Sequence, residues 1–259
     1  MSSPGRVLAI LQLFSKDRPV WNPDQINELL GYTRTTGYRY VKELVDEGFL
    51  KKVSTGLYSL GPRIIELDYQ LRESDPLLLA AKPILEEISV ETGYNSVISE
   101  LFLNSMQIID TYRASPQIGV ELTYGRGRPR PFLISAAPKI LLSGLKSNQL
   151  KGVFTHYKEQ IKDSEMGPSW EDFRAYLKDV KKRGYYCSYG ELETKIGAIA
   201  VPIFNRDGDV AAAFALVGKV NKIRTENPDV LAKKMQTASQ KITQRIKIST
   251  DIYETTTDI

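Results

Sequence analysis

Cysteine and histidine each occur once in the 259 residues, as Cys187 and His156. A lone cysteine excludes an internal disulfide and a cysteine-rich zinc site. No metal-ligand cluster can be assembled from the sequence. Long apolar runs are also missing; none approaches the roughly 20 residues that a membrane-spanning helix needs. No apolar stretch follows a basic N-terminal start, as a secretory signal requires. A soluble cytoplasmic protein without membrane association is therefore expected. Excess charge is scarce too. The formal net charge is only +4, so any affinity for nucleic acid must rest on a local basic patch. A Gly-rich phosphate loop is absent: Gly125-Arg126-Gly127-Arg128 has neither the spacing nor the context, and reads as a basic turn. No cofactor and no metal are expected.

A local basic patch is present near the N-terminus, where Arg34, Arg39, Lys42, Lys51, Lys52 and Arg63 gather with few carboxylates among them. The segment around them has a definite order. Asn22-Pro23-Asp24 opens a short helix with Ile26, Leu29 and Leu30, and Gly31-Tyr32 breaks it. Thr33-Arg34-Thr35-Thr36 starts a second helix, whose apolar positions Tyr40, Val41, Leu44 and Val45 recur at helical spacing. Gly48 stops it. Phe49 to Val53 and Leu57 to Leu60 then read as two short strands joined by Ser54-Thr55-Gly56. Helix, turn, helix and hairpin in this order form a winged helix-turn-helix, which lays its second helix in a DNA major groove. An earlier helix from Pro4 to Phe14 packs Val7, Leu8, Ile10, Leu11 and Phe14 behind it.

The rest of the chain has a different texture. Gly61-Pro62 starts a helix with an apolar stripe of Ile64, Ile65, Leu67 and Leu71, interrupted at Ser74-Asp75-Pro76. A helix from Leu77 to Glu91 follows, with Pro83 as a kink or restart. Ser96 to Leu103 and Met106 to Tyr112 read as a hairpin, and Gly119 to Tyr124 as a third strand. Helices are expected at Ser135 to Leu145, Ser147 to Thr155 and Ser169 to Arg183. Tyr185 to Tyr189, Ile196 to Phe204 and Val210 to Val217 complete the sheet, the last two joined by the turn Asn205-Arg206-Asp207-Gly208-Asp209. A final helix runs from about Pro228 to about Ile248. Hairpins under covering helices predict an α+β fold with a mainly antiparallel sheet. The expected division is a winged helix-turn-helix over 1–61, a linker helix over 62–75, a ligand-sensing and oligomerisation domain over 76–248, and a polar tail over 249–259.

Five stretches together resemble the IclR family of bacterial transcriptional regulators: Ser3 to Leu11, Thr33 to Arg39, Gly56 to Gly61, Ser135 to Leu142, and Arg183-Gly184-Tyr185 with Ala198 to Ile203. The resemblance covers nearly the whole chain, from Ser3 to about Lys247. It implies a winged-helix domain, a linker helix and a GAF-like effector domain in a homodimer or homotetramer. It also implies a double-stranded DNA operator and a small organic acid effector as partners.

On the reading helix, Arg34, Thr35, Thr36, Tyr38, Arg39 and Lys42 lie near the front. Thr33 is the expected N-cap. Thr35 or Thr36 can bond phosphate, and Arg39 can bind guanine bidentately or clamp phosphate. Lys51, Lys52, Ser54 and Thr55 on the wing would touch the sugar-phosphate backbone, which adds affinity without sequence choice. The competing reading is a solvated basic face or a protein-binding module. Gly37 departs from the β-branched or aliphatic residue usual in the family; glycine within a helix costs about 1 kcal/mol. It would permit close approach to DNA or simply weaken the helix.

The effector site implied by the resemblance centres on Ser135, Ala136 and Ala137. Ser135 is an expected N-cap, and the following amides at a helix N-terminus favour a carboxylate. Tyr124, Phe132, Leu133, Ser188, Ile196, Ala198, Ala215 and Val217 are the other expected lining residues. Four of them depart from the family pattern: Ser188 replaces a common acidic residue, Ala198 a cysteine, and Ala215 and Val217 two serines. Fewer donors disfavour very polar ligands, whose groups would be buried unpaired. A larger or less polar carboxylate, aromatic acids among them, is favoured over a two- or three-carbon keto acid. The alternatives are a degenerate pocket in a ligand-independent DNA-binding regulator, and, in another class, a hydrolase or transferase. The last is not expected, because Cys187 lies in a predicted strand and His156 far away, with no base in reach of a nucleophile.

Overall fold

The computed structural model describes the backbone of residues 2–116 and 125–256 and the side chains of residues 2–116 and 125–247. The chain forms two compact units, Met1–Asp75 and Pro76–Ile259. The expected strand at Gly119 to Tyr124, and Tyr124 with it, lies outside the described residues. Among the described residues no helix is long and apolar enough to cross a membrane.

In the first unit, α1 (Ser3–Leu11) starts where the Ser2 side chain accepts from the Gly5 amide. α2 (Pro23–Leu30) starts at a reciprocal capping box: Asn22 accepts from the Gln25 amide while the Gln25 side chain returns to Asn22. Such caps satisfy amides that have no partner inside the helix. α3 (Arg34–Asp46) is capped by Thr33. β1 (Leu50–Ser54) and β2 (Leu57–Leu60) form the antiparallel wing, with Lys52 opposite Tyr58. Ile10, Trp21, Ile26, Tyr40, Val41, Leu44 and Leu50 form the core. Trp21 fastens the wing by two backbone bonds with Tyr58, at 2.9 and 2.8 Å. α4 (Pro62–Ser74) buries none of its residues within this unit.

The second unit opens with α5 (Pro76–Thr92), which is continuous through Pro83 rather than restarted there. Its six-stranded sheet has the order β5-β4-β3-β8-β7-β6. The strands are β3 (Asn95–Phe102), β4 (Gln107–Ala114), β5 (Pro129–Arg130), β6 (Tyr186–Tyr189), β7 (Ile196–Phe204) and β8 (Val210–Lys219), and every neighbouring pair is antiparallel. Helices α6 (Ala136–Ser143), α7 (Ser147–His156), α8 (Lys158–Lys162) and α9 (Trp170–Arg183) lie between β5 and β6 in the chain. α10 (Val220–Thr225) and α11 (Pro228–Thr256) end the described chain, α11 running on through much of the stretch read as a polar tail.

Strand alternation sorts the side chains onto two faces. Ala198, Ala200, Ala213, Ala215 and Val217 join the core with Ile140, Leu141 and Phe173 of α6 and α9. Ile199, Val201, Ile203, Phe214 and Leu216 join Leu85, Met235 and Ile242 of α5 and α11 on the other. Both faces are covered, which explains why β7 and β8 read as nearly unbroken apolar runs. The alanines on the first face admit α6 closely against the sheet, and that sets the site described next.

Candidate functional site

On α3, Arg34, Thr35, Tyr38, Arg39 and Lys42 are exposed, Thr36 is half-buried, and Gly37, Tyr40, Val41 and Leu44 face inward. The exposed set recurs at helical spacing and makes one polar, basic stripe. Thr36 is partly committed to the helix start: its amide donates to Thr33 Oγ1 at 3.3 Å, and the Thr33 hydroxyl donates to Thr36 Oγ1 at 2.9 Å. Lys51, Lys52, Ser54 and Thr55 are all exposed on the wing. One residue escaped the sequence reading. Asp24 of α2 accepts from the Tyr38 hydroxyl at 3.1 Å and lies 3.7 Å from Arg34 Nε, so it restrains two of the reading-helix side chains. Its only sequence signal was an acid in the first turn of a helix, where the dipole favours one.

Gly37 has a specific steric reason, and it is neither approach to DNA nor a weak helix. Gly37 is buried against α2, and a Cβ built on it would lie 1.5 Å from Asn27 Oδ1. No side chain fits there unless Asn27 moves. Asn27 is itself buried, and neither amide atom of its side chain has a hydrogen-bond partner among the described residues.

In the second unit a cavity of about 20 Å³ lies beside α6, lined by Asp110, Arg130, Ser135, Ser188, Leu192, Glu193, Ile196, Gly197, Ala198 and Val217. Ser135, Ser188, Ile196, Ala198 and Val217 were expected there. Phe132, Leu133, Ala136, Ala137 and Ala215 are instead core residues outside the lining; Phe132 stacks on Tyr157 with centroids 4.7 Å apart. Ala136 and Ala137 are both buried. The Ser135 side chain does not cap the helix: it makes no capping bond, and its Oγ lies 3.5 Å from Ser188 Oγ.

The cavity wall is also more polar than the methyl-rich sequence pattern suggested. Arg130 Nη1 donates to both carboxylate oxygens of Asp110 at 3.2 Å, and the Ser99 hydroxyl donates to Asp110 Oδ1 at 2.6 Å. Burial pushes the Asp110 carboxyl above its ordinary range, and the Arg130 charge and Ser99 hydroxyl offset only part of that. The signal for this pair was an acid in the otherwise apolar stretch Ile108-Ile109-Asp110, since a buried charge requires a partner.

An internal charge cluster lies at the start of α6, next to the cavity-lining residue Ser135. Lys139 is 2 % exposed. Its ammonium lies 2.6 Å from Glu165 Oε1 and 2.5 Å from Glu191 Oε2. Glu191 Oε2 also accepts from the Ser135 amide at 3.0 Å. Tyr186 donates to Glu165 Oε1 at 2.8 Å. Burial opposes ionisation of Glu165, but Lys139 and the Tyr186 and Tyr176 hydroxyls outweigh it and hold its carboxyl below the ordinary value. Ser135 adopts φ 86°, a backbone region that side chains other than glycine rarely enter. Such strain concentrates at ligand clamps and costs on the order of 1–3 kcal/mol.

Cys187 and His156 are not brought together. Cys187 packs on the α5/α11 side of the sheet, and burial pushes its thiol up, away from the reactive thiolate. His156 stacks edge-on against Tyr157, which packs on the opposite side. Among the described residues no group of His, Cys, Asp and Glu is placed to hold a metal ion.

Residues 3–54 match the IclR helix-turn-helix domain, and residues 71–244 match the bacterial transcriptional regulator IclR C-terminal domain. The chain is 26% identical over 243 residues to the HTH-type transcriptional regulator KipR of Bacillus subtilis, covering 92% of this chain and 94% of that one. It is 27% identical over 231 residues to the Pca regulon regulatory protein of Pseudomonas putida, covering 87% and 78%. The fold superposes with a TM-score of 0.74 on an IclR homolog from Microbacterium hydrocarbonoxydans complexed with 4-hydroxybenzoate, at 22% identity and covering 95% of this chain and 100% of that one. Winged reader, linker helix and curled antiparallel sheet thus stand in the order of one family along the chain, which belongs to the IclR family of bacterial transcriptional regulators.

Proposed function

We propose that this regulator grips a double-stranded operator with α3 and the β1–β2 wing of two subunits, and that an organic acid entering beside α6 modulates the grip. Residues 1–61 are assigned to DNA binding, 62–75 to the linker, and 76–248 to effector sensing. The observation that carries the reading is the exposed stripe of Arg34, Thr35, Tyr38, Arg39 and Lys42, joined by the wing lysines Lys51 and Lys52. Guanidinium groups suit guanine edges and phosphates, and wing ammoniums suit phosphates alone. The apolar side of α4 supports a homo-oligomer, since Ile65, Tyr69 and Leu71 are 72%, 61% and 54% exposed within the chain. Acid effectors are supported by the 4-hydroxybenzoate bound to the Microbacterium relative.

The test is a fluorescence-anisotropy titration of the full chain against its own promoter fragment and random duplex, with and without 4-hydroxybenzoate. A preference for the promoter of at least about a thousandfold is expected. Equal affinity for both duplexes would overturn the reading. A second reading, a ligand-independent regulator, is favoured by the size of the cavity, which has room for about one water. Calorimetric silence against a panel of aromatic and aliphatic acids would select it.

A further inference from the structure

The carboxylate at the start of α6 comes from the protein itself. Glu191 sits on the loop of residues 190–195 between β6 and β7. Its Oε2 takes the Ser135 amide and the Lys139 ammonium together. Leu192 and Glu193, next on the same loop, line the cavity. The loop is folded back tightly: Gly190 has φ 84°, and a Cβ there would come 3.0 Å from the Thr194 carbonyl oxygen. With the loop in place the cavity measures about 20 Å³, too little for even the smallest organic acid.

We propose that Glu191 is an internal latch on the effector site. Its carboxylate holds the place that the carboxylate of an acid ligand takes on the Ser135 amide and the Lys139 ammonium. An acid opens the cavity by exchanging with it. This rests on the reading of the cavity as an effector site. The exchange is chemically even-handed. Lys139 keeps Glu165 as one counter-ion throughout, and the incoming carboxylate replaces the outgoing one, so no buried charge is stranded. Glu191 can leave because its side chain is already 26% exposed, whereas that of Lys139 is 3% exposed. An uncharged amide cannot make the same exchange. Its neutral carbonyl would give the Lys139 ammonium and the Ser135 amide a weaker acceptor than a carboxylate, since charge-assisted hydrogen bonds are roughly twice as strong as neutral ones. The latch therefore selects acids over their neutral isosteres without any contact to the rest of the ligand.

The experiment is hydrogen exchange followed by mass spectrometry on the full-length chain, comparing wild type with Glu191→Ala and Glu191→Gln. Acetate serves as a mimic of the missing side chain and acetamide as its neutral control. Loss of a charge-assisted hydrogen bond is expected to speed exchange at Ser135 and across residues 190–195 by about tenfold or more, with β7 and β8 unchanged. Acetate should restore protection in Glu191→Ala, and acetamide should not. If Glu191→Ala fails to fold, Glu191→Gln reads the same exchange. Unchanged exchange in the folded variants, or equal rescue by acetamide, overturns the latch. So does equal affinity of wild type and variant for 4-hydroxybenzoate, which would leave the effector reading standing. Rescue by acetate while no acid alters operator binding would support the carboxylate exchange and remove the effector reading.

Discussion

Both sites gather charged side chains, yet they hold them in opposite ways. On the reading stripe the Arg34 side chain is 80% exposed and loosely paired with Asp24 at 3.7 Å. Beside α6 the Lys139 side chain is 3% exposed and gripped by two carboxylates. Exposed pairs in water contribute little, so their charges remain available to a phosphate or a base edge. Buried charges have lost their water and must be paired at all times. The charges of the α3 stripe therefore stand open to a partner, whereas those beside α6 are already committed to one another.

The largest test of that contrast is the buried Asp110–Arg130 pair. Asp110→Ala removes the carboxylate from a buried pair whose guanidinium side chain is 7% exposed. It should destabilise the chain by about 3–5 kcal/mol in urea titrations. Arg34→Ala, at the exposed pair, should leave the same unfolding midpoint unmoved. Equal effects would erase the distinction between the two regions.

Gly37→Ala comes next. It forces a methyl group into Asn27 and should cost about 1–3 kcal/mol by overpacking. Asn27→Ala in the same chain should recover most of the loss. A double-mutant cycle with no coupling would show that α2 and α3 do not meet where the geometry places them.

Arg39→Ala should weaken operator binding by about 1–3 kcal/mol while leaving the thermal midpoint unchanged, because the side chain is 62% exposed and only loosely paired with Glu43. An anisotropy titration against the promoter fragment reads the first quantity and calorimetry the second. A shift in stability matching the loss of affinity would place Arg39 in the core of the argument for folding instead.

The smallest effect concerns acid. Glu165 is held below its ordinary carboxyl value in the folded chain. A depressed acid adds stability that is present above the ordinary carboxylate range and is lost as pH falls through it. Glu165→Gln should therefore flatten part of the acid limb of stability, measured as urea midpoints from about pH 7 to about pH 3. An unaltered limb would show that Lys139 does not draw its charge balance from Glu165.

The two regions also differ in how far they were legible. The reader is built from local rules. Asn22 with Gln25 caps α2, Thr33 caps α3, and Leu44 and Val41 recur at helical spacing, all within a few residues of one another. The site beside α6 obeyed no such rule. Ser135 has the composition of a cap but bends to φ 86° and gives its amide to Glu191, 56 residues away. Asp110 and Arg130 meet across a two-residue strand, too short for periodicity to register. Departures from the family pattern at Ala198, Ala215 and Val217 suggested an apolar pocket, because the polar wall was supplied by residues elsewhere.

Sequence by itself determined the order of the longer elements, the family, and which side chains of α3 face outward, because helical spacing, caps and turns are set by neighbours in the chain. Only the tertiary structure decided that Gly37 makes room for Asn27, that Arg130 pairs with Asp110, and that Glu191 takes the Ser135 amide and the Lys139 ammonium. Those facts depend on pairing buried groups across long separations. Desolvation makes such pairing obligatory, and composition cannot say which partner supplies it.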